Sequence, residues 1–204
     1  MNEYSEQLLP ETFGYVMNGN PTICSPNATY EISFAQTKDS LRDPEVYKQF
    51  LDNAISRFRK SRTYKNYKGF LMGLGLDHCQ MHGNISSEMA TIEMHHNVLT
   101  IFDIALIITE HELNTTGYIT TFDLVKLLAK EHTDHRVQLV MLSLTPHQLF
   151  HNDPQFFIPS AMCVGNWQEF LKRHNKGITK DIAYKLLYYI KRESELKGNP
   201  FDNN

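Results

Sequence analysis

A chain of 204 residues with 41% hydrophobic and 21% charged residues, and a mean hydropathy of -0.40, has the make-up of a soluble globular protein that can bury a sizeable core without disulfides or structural metal. Its 20 Lys and Arg against 23 Asp and Glu leave a formal charge of -3, which excludes a polycation that grips nucleic acid over its whole surface. Three scattered cysteines (Cys24, Cys79, Cys163) exclude a disulfide framework, and the absence of a long apolar run or a basic-then-apolar leader sets the expectation of a cytoplasmic protein with no membrane partner.

Residues 1–43, punctuated by Pro10, Pro21 and Pro26 and alternating over Thr29 to Phe34, read as an extended arm with one or two strands. From Asp43 and Pro44 a helix is expected, with Val46, Phe50, Leu51, Ala54, Ile55 and Phe58 at helical spacing, running on to the glycines at 69–75. Its later part carries Arg57, Arg59, Lys60, Arg62, Lys65 and Lys68 among Phe58, Tyr64 and Tyr67. This dense basic patch is either a solvated face or a surface for phosphates. Met89 to His96 alternates as a strand. Leu99 to Leu113 and Thr121 to His132 read as two helices, the second capped by Thr120 or Thr121. Val137 to Leu144 is an apolar run of strand length, and Thr145 to Phe150 begins another helix. Asn166 to His174 and Thr179 to Lys197 complete a helical tail.

Histidine is the unusual entry: of ten, nine lie between His78 and His151. His95 and His96 stand at a strand end, where neighbours point to opposite sides and can do different work. His147 and His151, four apart at a helix start, share one face and can grip one ion. Glu93 shares the strand face of His95, and Asp103 flanks the centre. His111, His132, His135 and His174 fall on polar faces or turns and are expected to be exposed, while Ile101, Ile104, Ala105 and Ile108 form a core stripe.

The stretches MATIEMHHN and QLVMLSLTPHQLFH together resemble the HNH endonucleases of the ββα-metal (His-Me finger) group, over roughly residues 76–153. The resemblance implies an α+β fold: a ββα-metal core at 76–153 with a helical insert at 99–133, preceded by the arm at 1–43 and the basic helix region at 44–75, and followed by a helical extension at 154–204. It is similar to the branch with three histidine ligands, as in the nuclease colicins. It implies His96 as general base, and His95, His147 and His151 as ligands of one divalent ion, Mg, Mn, Ni or Zn. Double-stranded DNA is the expected substrate, with RNA as the alternative, and Arg57 to Lys68 would contact its phosphates.

Three departures stand out. Gln138 occupies the place of the asparagine that steadies the base; the zinc-binding CxxC pairs are reduced to Cys79-Gln80-Met81-His82 and to Ser143 and Pro146; and the gap from His96 to Gln138 is long. An insertion in a surface connection is tolerable, but the first two departures fit the competing expectation, an HNH-like fold without catalysis that serves as an interaction or regulatory module of a phage or mobile element.

Overall fold

The computed structural model describes residues 35–153 and 156–197. The alternating run at Thr29 to Phe34, and with it nearly all of the expected arm, lies outside the described residues, as does the polar end from 198 onward. The architecture is mixed α and β: seven α-helices and small two-stranded sheets among the described residues. No helix among the described residues is long and apolar enough to cross a membrane.

After the two-residue strand β1 (Gln36–Thr37) comes helix α1 (Pro44–Lys60), where the Asp43 carboxylate accepts from the Glu45 and Val46 amides and Pro44 occupies the first turn. Phe50, Leu51, Ala54, Ile55 and Phe58 form its buried face. The single long helix expected here is in fact two. Ser61 adopts an extended conformation, φ -67° and ψ 154°, and its hydroxyl accepts from the Tyr64 amide, so it ends α1 and starts α2 (Arg62–Gly73). A serine can satisfy a free amide at a helix start, which makes a break cheap where no glycine or proline announces one.

The expected strand from Met89 is shorter. The amides of Met89 and Ala90 both bond back to the Ser86 carbonyl in a turn, so β2 spans only Ile92–His96. Helices α3 (Ile101–Thr115) and α4 (Thr121–Thr133) each open with a capping box, Thr100 with Asp103 and Thr120 with Asp123, and are joined through Gly117 at φ 86° and the short strand β3 (Tyr118–Ile119). Strand β4 (Leu139–Ser143) returns antiparallel to β2, pairing Ile92 with Ser143, Met94 with Met141 and His96 with Leu139. Helix α5 (Leu144–Asn152) follows β4 directly; then come α6 (Trp167–Arg173) and α7 (Lys180–Lys197).

Helices α1, α3 and α4 pack on one another around Phe58, Ile104, Ile108, Leu124 and Leu128, and Ile182, Leu186 and Tyr189 of α7 join the same core. The basic helix region and the insert thus share one interior. A smaller apolar cluster, Cys79, Ile92, Val140, Met141, Leu142 and Ile158, gathers at the β2–β4 sheet. The segment after α2 is docked on β4: the Gln80 amide donates to the Met141 carbonyl, and its side-chain oxygen accepts from the Met141 amide at 2.7 Å.

Candidate metal centre

Strand alternation sends His95 and His96 to opposite sides of β2. On one side His95 meets the two histidines of α5. Its ring centroid lies 5.0 Å from that of His147 and 5.1 Å from that of His151, which are 4.8 Å from each other. One nitrogen from each ring falls within 4.8 Å of the others, making these three a group able to hold a metal ion among the described residues. A test of fit comes from His95 itself. Its Nε2 is buried with no hydrogen-bond partner, a costly state for a polar atom that a coordinate bond would relieve. Burial first, then the two neighbouring imidazoles, hold its pKa down to about 4, so at neutral pH its lone pair is available.

The carboxylate of Glu93, on the same strand face as His95, sits 3.2 Å from His147 Nδ1. Such a partner fixes the imidazole's orientation and leaves Nε2 for an ion. Phe150, with its ring 4.3 Å from that of His95, walls the cluster from the helix side.

On the other side of β2, His96 is buried, and its Nε2 lies 2.8 Å from Nε2 of His132 on α4. Burial, the His132 ring and the Arg59 charge hold its pKa well below the ordinary histidine value. Immediately beyond, the Leu99 amide bonds to the Asn97 carbonyl across Val98 at φ 64°, the strained form of γ-turn for a β-branched residue. This tight reversal ends β2 at His96 and launches α3.

A cleft of about 530 Å³ is lined in common by His95, His96, His147 and His151, together with Glu93, Tyr64, Arg59 and Lys68. Of the six expected phosphate contacts, Arg59 and Lys68 thus reach the cleft, and Lys68 is anchored by a 2.9 Å bond to the Ile92 carbonyl. Arg57, Lys60, Arg62 and Lys65 lie on exposed faces of α1 and α2.

Gln138 is buried just outside the ladder, facing Asn97. Its carbonyl accepts from the Asn97 amide at 3.0 Å, and its Oε1 lies 3.4 Å from Asn97 Nδ2. The same Nδ2 also lies 3.1 Å from the Ile158 carbonyl, from Cys163 Sγ and from the Tyr189 hydroxyl, so Asn97 ties the strand end to α7 and the loop before α6. Asp103 belongs to the α3 capping box and pairs with Lys185 of α7. Cys79 is fully buried, and no metal group includes it among the described residues.

Two histidines expected at the surface are interior. His132 is 1% exposed and His174 4%, the latter beside the buried carboxylate of Glu131 at 3.4 Å. For His132 the signal was present: Leu124, Leu128 and His132 recur every four residues on the buried face of α4. Asn97 carried no periodic signal.

The family described as bacteriophage G278-like virion protein matches residues 4–203, nearly the whole chain. No curated protein and no solved structure matches it.

Proposed function

The chain belongs to the bacteriophage G278-like virion protein family, and from that premise we propose that it is a metal-dependent endonuclease of the phage, hydrolysing phosphodiester bonds of double-stranded DNA. The observation that carries this reading is the convergence of His95, His147 and His151 around an unpartnered buried nitrogen, in a cleft that His96, Arg59 and Lys68 also line. The order β2, β4, α5, with ligands on the first strand and the helix, supports treating this part as a ββα-metal core. His95, His147 and His151 would hold a divalent ion, which would supply positive charge against the negative charge that builds on the phosphoryl oxygens and the departing 3′ oxygen.

The chain's own residues do the rest. His96 takes a proton from water, the resulting hydroxide attacks phosphorus, and the P–O3′ bond breaks with the electron pair leaving on oxygen. Neutral at physiological pH, His96 has its lone pair ready for that proton. Arg59 and Lys68 contact the phosphate backbone by charge and hydrogen bonding, with Lys68 positioned by its bond to the start of β2. Gln138 and Asn97, joined side chain to side chain and backbone to backbone, hold the strand ends on which His95 and His96 stand.

Supercoiled plasmid incubated with the protein and Mg²⁺, Mn²⁺, Ni²⁺ or Zn²⁺ tests the reading. Cleavage is expected with at least one ion. It should fall by about 10²- to 10⁴-fold in His96→Ala, the usual contribution of a general base, while metal binding survives. His147→Ala should lose metal and cleavage together. Membership of a virion protein family favours one other reading, a catalytically silent interaction module. Metal binding without cleavage in any ion selects it.

A further inference from the structure

The nitrogen of His96 that faces His132 cannot be the one that accepts a proton. His132 Nδ1 lies 2.7 Å from the Leu128 carbonyl four residues back. A carbonyl oxygen only accepts, so Nδ1 of His132 carries the hydrogen. His132 is 1% exposed and enclosed by Phe58, Tyr64 and Tyr67, with the Phe58 ring 4.6 Å away. Burial drives its pKa down to about 4, so the ring is neutral and its Nε2 is a bare acceptor. At 2.8 Å from that acceptor, His96 Nε2 must be the donor, whatever charge His96 carries. The lone pair of neutral His96 is then confined to Nδ1.

Resting on the reading of His96 as general base, we propose that His132 is a positioning residue that holds His96 in the Nε2–H form, so that Nδ1 receives the proton from water. The proton accepted at Nδ1 makes His96 an imidazolium whose Nε2–H still donates to His132, so the hydrogen bond strengthens as the charge develops. The helical insert between β2 and β4 therefore has a chemical role. It supplies, from the last turn of α4, the partner that a base at a strand end needs. Phe58 of α1 packs its ring against the His132 imidazole at a tilt of 52°, which couples the basic helix to it.

The experiment uses the full chain labelled with ¹⁵N-histidine. Two-bond ¹H–¹⁵N correlation at neutral pH distinguishes a protonated Nε2 from a protonated Nδ1, with His96 assigned through His96→Gln. In the wild type, His96 is expected as Nε2–H with an unprotonated Nδ1. In His132→Leu, which removes the acceptor and keeps an apolar volume, His96 should give a mixture of the two forms. Plasmid cleavage should then lose at least about 10-fold in kcat, as removal of an orienting partner does, with KM and zinc affinity unchanged. His132→Gln, whose amide oxygen can accept from Nε2–H, should restore the wild-type form and part of the rate.

A wild-type His96 protonated on Nδ1, or an unchanged His96 spectrum in folded His132→Leu, overturns the inference. If His132→Leu does not fold, the wild-type spectrum and the His132→Gln variant decide it alone. Failure of the nuclease reading looks different: no cleavage by the wild type in any ion, with His96 still found as Nε2–H.

Discussion

Helix α5 is held to the rest of the chain by little. The Ser143 side chain makes no capping bond, and of nine residues only Pro146 is buried, while His147 is half-buried and His151 exposed. A divalent ion gripped by both histidines and by His95 on β2 would fasten this helix to the sheet, and the gain can be worked out. At a free zinc concentration one hundred times the dissociation constant, binding to the folded chain alone adds about 2.7 kcal/mol. For a chain of 204 residues each kcal/mol raises Tm by about 2–4 °C, so the expected shift is about 5–11 °C. Losing a ligand should weaken affinity at least as much as losing its outer partner. A 100-fold loss at the same zinc concentration leaves about 0.4 kcal/mol, or about 1 °C. Because neither α5 histidine is buried, His151→Ala should melt like the wild type when metal-free, within about 0.5 kcal/mol. Differential scanning calorimetry with and without zinc, on wild type and His151→Ala, reads all four values. An equal zinc shift in both chains, or none in either, would refute the clamp.

Other substitutions probe the supports. Glu93→Gln, which removes the carboxylate beside His147 Nδ1, should weaken zinc affinity by about 10-fold, the low end for such partners because Glu93 is 43% exposed; calorimetric titration giving less than a twofold change would be contrary. The Glu131 carboxylate, whose burial would raise its pKa, is instead held down to about 2 by the His174 ring and the Arg136 guanidinium, so its contribution is full above pH 4.5 and disappears as the pH falls towards 2. That depression corresponds to about 3 kcal/mol at neutral pH, so urea midpoints of wild type and Glu131→Gln should differ most above pH 5 and converge near pH 2; a gap that widens in acid contradicts the assignment. Gly165 stands at φ 101°, and a Cβ there would lie 1.9 Å from the Val137 carbonyl beside the start of β4, so Gly165→Ala should cost at least about 2 kcal/mol in urea unfolding, and a cost under about 0.5 kcal/mol would be inconsistent.

What could be read from the residues beforehand followed from local chemistry. Asp43 with Pro44, and Thr120 or Thr121 before a helical stripe, mark their helix starts because a side-chain oxygen must satisfy free amides there, and the caps found are Asp43 and Thr120. His147 and His151 share a face by helical period, and His95 joins them because β2 and β4 pair in a register that brings the strand beside α5. The break at Ser61 was invisible, since one serine among good helix formers stops a helix only when packing of α1 and α2 against the core rewards the bend. His132 reads as part of a polar face or turn, yet its four-residue spacing from Leu124 and Leu128 puts it on the buried face of α4. The partners of Asn97 lie up to 92 residues away, and contacts of that range leave no trace in local pattern.

The account stands on three imidazoles sharing one ion. X-ray absorption at the zinc edge of the metal-loaded full chain tests this most directly. Three imidazole nitrogens at about 2.0–2.1 Å are expected, with the outer-shell scattering of three rings, falling to two rings in His151→Ala. A spectrum with fewer than three rings in the wild type, or one containing sulfur, would contradict it.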